Sequence, residues 1–295
     1  MIITRLKGGM GNQMFQYALG RALSIKYNVP LGLDLAFLLD RTPRPKFHQF
    51  SFRNYDLDVF NVNVKIISQS KIPFFHRQYF KGKIMVYING LISIFDKIFR
   101  KEKYFVFKES VLNKGPNAYL DGYWQNPKYF DGIKDILRKD FTIKDLTDQN
   151  IQNLSKDILS QNSLCIHVRR GDFVSNKNHD IVAKNYYNER LEYLKKIVSV
   201  DKIYVFSDDI SWCKENLIFD IPTIFVENSL SGKKGEGHLY LMSCCKYFII
   251  PNSTFSWWGA WLSIREEKIV ICPKKWLNSE VINTDDLIPK EWIRI

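Results

Sequence analysis

Two adjacent arginines, in the segment Ser163-Leu164-Cys165-Ile166-His167-Val168-Arg169-Arg170-Gly171-Asp172, are the groups in this chain best suited to chemistry. A guanidinium keeps its charge, and its planar fork matches two oxygens of a phosphate, so one arginine of the pair reads as a clamp for a phosphate or pyrophosphate. Extended backbone alternates its side chains, which puts His167 and Arg169 on one face and Val168 and Arg170 on the other until Gly171 turns the chain. The plain alternative for one arginine is an Arg170–Asp172 ion pair closing the turn.

Three other stretches could complete such a site. Asn252-Ser253-Thr254-Phe255-Ser256 opens an apolar helix, with Asn252 or Ser253 as its N-cap and backbone N–H groups plus the Ser253, Thr254 and Ser256 hydroxyls as an anion seat. Ser207-Asp208-Asp209 offers carboxylates for a guanine N1/N2 pair or a ribose hydroxyl, or a helix cap at Asp209. Gly8-Gly9-Met10-Gly11-Asn12-Gln13 is a glycine-rich loop that would let backbone approach a sugar or phosphate, or would only turn the chain; it has neither P-loop nor G-x-G-x-x-G spacing. Tyr123 and Trp124 could stack on a sugar or fill a core. Asp56-Leu57-Asp58 has the D-x-D form of a metal site, and reads better as two solvent-facing carboxylates.

The elements that must position these residues follow from hydrophobic period. A strand over 1–6, a helix over 14–27 and a strand over 29–34 open the chain; a strand over 118–124 and a helix over 128–137 follow. Beyond a polar stretch, 144–162, strands over 164–168, 202–206, 223–226, 247–250 and 268–272 alternate with helices over 186–198, 210–216, 238–245 and 254–264. Such alternation predicts a parallel, helix-covered sheet whose ligand crevice lies at the carboxyl ends of its strands. Tryptophans 257, 258 and 261 read as packing that fixes the helix start. The segment 64–103 is basic and aromatic, too short in its apolar run to span a bilayer, and reads as a helix-rich insertion; an ordinary buried helix pair and a surface resting on anionic lipid are both open.

Composition narrows the class. The chain has 295 residues, 45% of them hydrophobic, enough for one large or two ordinary domains; its formal charge of +12 favours an anionic partner without choosing among nucleic acid, membrane and nucleotide. Five cysteines without metal-ligand spacing imply a reducing, cytoplasmic setting. The first residues read as a strand, neither signal peptide nor anchor.

Gly8 to Gln16, Gly122-Tyr123-Trp124-Gln125, His167 to Asp172, Ser207-Asp208-Asp209 and Asn252 to Leu262, in this order, resemble glycosyltransferase family 11, the α-1,2-fucosyltransferase family. The resemblance implies an α/β, GT-B-like fold of two Rossmann-type domains: 1–150 on the acceptor side, carrying the insertion, and 151–295 holding the GDP-sugar. It implies inverting transfer of L-fucose from GDP-β-L-fucose to the 2-hydroxyl of a terminal galactose, with no metal or other cofactor. Arg169, Arg170, Asp172 and Asn12 are the catalytic candidates it gives. Donor contacts fall on Gly9, Gly11, His167, Asp208, Asp209, Asn252, Ser253, Thr254, Phe255 and Ser256, and acceptor contacts on Gln13, Trp124 and Gln125. The implied partners are GDP-fucose and a galactose-terminated or lipid-linked oligosaccharide such as an O-antigen precursor, not nucleic acid. The implied setting is the bacterial cytoplasm, with peripheral contact to an anionic inner membrane left open. Two positions depart from the family pattern: His238 stands where an acid is common, and Pro251 where a small residue is common. Competing readings are transfer from GDP-mannose, a metal-dependent transferase using Asp56 and Asp58, a basic nucleic-acid binder and a non-catalytic sugar-binding module.

Overall fold

The structure, a computed structural model, describes residues 1–41, 52–68, 105–171, 185–277 and 283–295. Asp172 and residues 69–104 of the basic segment lie outside them. The chain divides into two compact units, Met1–Phe141 with Asp285–Ile288, and Thr142–Thr284 with Pro289–Ile295. The division falls at 141/142, ahead of the expected 150, because the polar stretch is itself structured: its helix Gln149–Leu159 is capped by Asp148, which accepts the Asn150 and Ile151 N–H groups.

The first unit runs β1 (Ile2–Arg5), α1 (Met10–Lys26), β2 (Leu31–Asp34), α2 (Ala36–Leu39), β3 (Lys65–Ile66), α3 (Glu109–Leu112), β4 (Tyr119–Leu120) and α4 (Lys134–Asp140). All pairings are parallel and the strand order is β3-β2-β1-β4. Three expectations change here. The glycine-rich segment is loop only as far as Gly9; α1 starts at Met10, with the Asn12 and Gln13 N–H groups both donating to the Gly9 carbonyl. The expected helix over 128–137 is two 3-10 turns, Pro127–Tyr129 and Asp131–Ile133, ahead of α4, since Pro127 starts a turn and Asn126 caps it. The start of the expected helical insertion is the edge strand β3.

The second unit holds α5 (Gln149–Leu159), β5 (Ser163–Val168), α6 (Tyr186–Lys195), β6 (Lys202–Ser207), α7 (Ile210–Asn216), β7 (Thr223–Phe225), α8 (Glu236–Cys244), β8 (Tyr247–Ile249), α9 (Thr254–Leu262), β9 (Ile269–Cys272) and β10 (Ile293–Arg294). Its parallel sheet has the order β10-β9-β8-β5-β6-β7. Every residue of β5 is buried, as a central strand covered by helices on both faces must be. The edge strand β10 has only two residues, too few for a periodic signal in the sequence.

Counted within each unit, the strand orders are 3-2-1-4 and 3-2-1-4-5-6, the doubly wound pattern. Each sheet therefore reverses direction between its first and fourth strands: β1 and β4 in one unit, β5 and β8 in the other. That gap is where a crevice opens at the carboxyl ends of the strands.

Candidate active site

The arginine pair stands at the end of β5, at the switch point of the second sheet, and its two members face opposite ways. Val168 packs into the apolar cluster with Tyr187, Ile210 and Cys213 under α6 and α7. Arg170 follows it to that side, its Cζ 3.9 Å from the centre of the Trp212 ring of α7 and its Nε 3.2 Å from Asp209 Oδ2. His167 is on the other face, its ring 5.9 Å from that of Phe255 in the first turn of α9. Alternation along the strand expects Arg169 on the His167 side, and its charge contributes to lowering the His167 imidazole.

Both arginines are held by carboxylates from the adjacent strand end. Asp208 Oδ2 pairs with Arg169 Nη1 at 3.0 Å, and Asp208 Oδ1 accepts the Arg170 backbone N–H at 2.9 Å. Gly171 lets this carboxylate approach: a Cβ there would lie 2.5 Å from Asp208 Oδ2. Asp209 pairs with Arg170 and also caps α7, accepting the Trp212 N–H at 3.2 Å. Arg170 closes an ion pair with Asp209, while Asp172, its expected partner, lies outside the described residues; both aspartates expected at the nucleobase also hold the arginines. Residue type alone could not separate these roles, because a carboxylate suits guanine and guanidinium equally. Trp212 went unread; its position three residues after a capping aspartate was the available signal.

α9 begins without a side-chain cap. Ser253 occupies the N-cap position, yet neither candidate caps the helix: Asn252 Nδ2 donates to the Trp276 carbonyl at 3.0 Å, and the Ser256 hydroxyl donates back to the Ser253 carbonyl at 3.1 Å. No acidic side chain occupies the first turn. The N–H groups of Thr254, Phe255 and Ser256 thus start a nine-residue helix with neither a side-chain cap nor an acidic side chain in its own first turn. Trp257 and Trp258 are fully buried and Trp261 nearly so, which anchors this helix start against the sheet.

Burial makes His167 a neutral member of the site. Only 5% exposed, its imidazole is pushed down to about 3, by burial first and then by Arg169 and His238. Its Nδ1 has no hydrogen-bond partner among the described residues. His238, in α8, is pushed below the usual histidine value by burial although its Nε2 lies 3.0 Å from the Glu227 carbonyl, a contact that requires the proton on Nε2. It packs edge-on to Phe206, the residue beside His167 in the sheet.

In the first unit, Gly9 and Gly11 flank the start of α1, and Asn12 Oδ1 accepts from Gln125 Nε2 at 2.6 Å, joining the first turn of α1 to the loop after β4. Gln13, expected at the acceptor, is instead fully buried: its amide donates to the Gly8 and Asn54 carbonyls and to Asp56 Oδ2, and accepts the Asp56 N–H. It is a tie between segments. Asp56 of the D-x-D triplet is its partner. Among the described residues no group of three or more His, Cys, Asp or Glu side chains is gathered as metal ligands. Trp124 stands with φ of 54°, against Gly122, its ring edge-on to Tyr129.

Two doubly wound units, one with an arginine pair and an uncapped helix start at the carboxyl edge of its sheet, are the architecture of a GT-B-like transferase. The chain belongs to glycosyl transferase family 11, whose sequence profile matches residues 47–295. It is similar to an α-1,2-colitosyltransferase of Escherichia coli, 37% identical over all of this chain and 99% of that protein. It is also similar to the O-antigen biosynthesis glycosyltransferase WbnK of Escherichia coli, 31% identical over 98% of this chain and 99% of that one. Among solved structures, the fucosyltransferase NodZ from Bradyrhizobium superposes with a TM-score of 0.50 at 15% identity, covering 88% of this chain and 91% of that one. The protein is a glycosyltransferase. Among the described residues no helix is long and apolar enough to cross a membrane.

Proposed function

We propose that the protein transfers L-fucose from GDP-β-L-fucose to the 2-hydroxyl of a terminal galactose, forming an α-1,2 linkage with inversion and without a metal. The observation that supports this reading is the arginine pair at the end of β5 together with the uncapped start of α9, whose Phe255 packs on His167 of the same strand. In a single displacement the acceptor oxygen bonds to the fucose anomeric carbon as the bond to the β-phosphate oxygen breaks. GDP then leaves as an anion, and its developing charge meets the Arg169 fork and the N–H groups of residues 254–256. The hydroxyl proton passes to a base, for which Asp172 is the candidate; a pH–rate profile of Asp172→Asn that keeps its acidic limb would remove it. Asn12, whose Oδ1 accepts from Gln125, is the candidate polar contact for the reacting hydroxyl. The second unit is accordingly the donor side and the first the acceptor side.

The similarity to an α-1,2-colitosyltransferase supports a second donor reading. Colitose is fucose without its 3-hydroxyl, so the same diphosphate seat serves either sugar, and what discriminates them is a contact to one hydroxyl. The kinship with an O-antigen glycosyltransferase supports a surface-polysaccharide precursor as acceptor and a cytoplasmic site of action. The test is GDP release from GDP-fucose, GDP-colitose and GDP-mannose, in EDTA, against a panel of β-galactosides. Fucose-dependent, EDTA-resistant turnover with a galactoside is expected. Turnover with GDP-colitose alone would replace the donor, and a requirement for divalent metal would overturn the proposed chemistry.

A further inference from the structure

The first sheet has a switch point of its own, between β1 and β4, and charged residues the glycosyl-transfer motifs do not single out converge there. Arg5 ends β1, Lys7 follows two residues later, and Asp121 directly follows β4. The Asp121 carboxylate bridges the two cations, with Arg5 Nη1 at 3.0 Å from Oδ2 and the Lys7 ammonium on Oδ1. Behind them Asp34, at the end of β2, is fully buried and accepts from the Tyr119 hydroxyl and the Ala36 N–H. Lys7 is fixed at its backbone as well, because Gln16 accepts its N–H and donates to its carbonyl. Phe37 lies 5.3 Å from the Lys7 nitrogen.

Three observations point to a ligand rather than a brace. The Lys7 and Asp121 side chains keep 20% and 25% of their surface exposed at the carboxyl edge of a parallel sheet, where a crevice opens. Their bonding capacity exceeds their use: an ammonium has three donors and a carboxylate about four acceptor sites, while Asp121 is the one carboxylate paired with Lys7 among the described residues. Three residues along, Trp124 holds a left-handed backbone, costly for a bulky side chain, and its indole Nε1 is buried without an acceptor among the described residues. Strain and an unmet donor in one loop are what a binding loop carries.

We propose that Lys7 and Asp121, with the Trp124 loop, form the subsite that recognises vicinal hydroxyls of the acceptor sugar. This rests on the reading of the protein as a transferase to a sugar hydroxyl. Two cations and two carboxylates sum to no net charge, which suits a neutral polyol. A vicinal diol gives one hydrogen bond to Asp121 and takes one from Lys7 without breaking their pair. Burial pushes the Asp121 carboxyl up, but Lys7 and then Arg5 outweigh it and hold it below the ordinary carboxylate value. Asp121 therefore stays an ionised hydrogen-bond acceptor, a binding group and not the general base.

The experiment is titration of methyl β-galactoside, with and without GDP, into the wild type and the Lys7→Gln, Lys7→Arg and Asp121→Asn variants, followed by ligand-observed NMR. The expected result is galactoside binding by the wild type, at least a tenfold loss in Lys7→Gln and Asp121→Asn, partial recovery in Lys7→Arg, and unchanged GDP affinity and thermal midpoint in Lys7→Gln. Lys7→Gln decides the matter where Asp121→Asn does not fold. Wild-type affinity in Lys7→Gln, no galactoside binding by the wild type, or a parallel loss of GDP affinity in Lys7→Gln would each overturn the subsite. A wild type that binds galactoside through Lys7 yet turns over no GDP-sugar would instead sink the functional reading and leave the subsite standing.

Discussion

Both sheets carry two cations at the end of their first strand and two carboxylates from the ends of neighbouring strands, and the two sets are wired differently. At the second switch point Arg169 pairs with Asp208 and Arg170 with Asp209, the Arg170 guanidinium lying over Trp212. At the first, one carboxylate serves two cations and a second is buried behind them. A pair at a partly exposed strand end can turn its cation toward an incoming anion. A shared carboxylate cannot move without leaving two cations unmatched, so that set is suited to ligands that add hydrogen bonds and carry no charge. Identical topology and charge count thus fit one edge to a diphosphate and the other to a polyol.

The sharpest way to break this contrast is between the arginines themselves. Arg169→Ala is expected to lower turnover on the order of 10²- to 10³-fold, the cost of removing a donor to the developing oxyanion. Arg170→Ala is expected to cost far less in rate and to show chiefly as a lower thermal midpoint, because it uncovers Trp212 and leaves Asp209 unpaired. Steady-state kinetics and thermal melts on both variants check this, and equal rate losses would erase the distinction between the faces.

Next in size is Asp208→Asn, which keeps the shape and removes the charge that orients Arg169. A hydrogen bond to a charged group is worth about 1.5–3 kcal/mol, so a rate loss of about ten- to a hundredfold is expected. It should be strongly non-additive with Arg169→Lys in a double-mutant cycle. Additive losses would mean that Asp208 contacts the donor independently.

The histidines sharpen the contrast through pH. His167 and His238 have folded values below the unfolded value near 6.5, so the unfolded chain takes up protons first as the pH falls. Their contribution to stability is complete above about pH 6.5 and declines below it, by up to about 1.4 kcal/mol per pH unit for each, until each imidazole protonates in the fold. For His167 that point is near pH 3. Thermal midpoints from pH 7.5 to 5 should fall, and His167→Phe should flatten the fall; an unchanged slope would show that His167 is not the buried titrating group. Smallest of all, Asp209→Ser keeps the α7 cap but drops the Arg170 ion pair, which is half exposed on the carboxylate side. A loss of about 1 kcal/mol or less is expected in chemical denaturation.

Much of this arrangement was legible in the sequence where local pattern and function coincide. The alternation in His167-Val168-Arg169-Arg170 predicted opposite faces for the arginines, and the uniformly apolar helix after Ser253 predicted a buried anchor. Pairings between strand ends were not legible: Asp208 with Arg169, Asp209 with Arg170, and Asp121 with Lys7 each join residues 38 or more positions apart, and only the strand order brings them together. Gln13 misled for the opposite reason. A polar side chain in a glycine-rich loop looks available, yet α1 starts inside that loop and turns Gln13 into the core, where backbone carbonyls use its amide.

The most direct measurement of the central claim is the affinity for GDP against that for GMP, by calorimetry, in the wild type, Arg169→Ala and Arg170→Ala. The β-phosphate is what separates the two ligands. The account predicts a wild-type preference for GDP that Arg169→Ala abolishes and Arg170→Ala keeps. A preference that survives in Arg169→Ala, or that is lost in Arg170→Ala alone, would contradict the placement of the diphosphate seat between Arg169 and the start of α9.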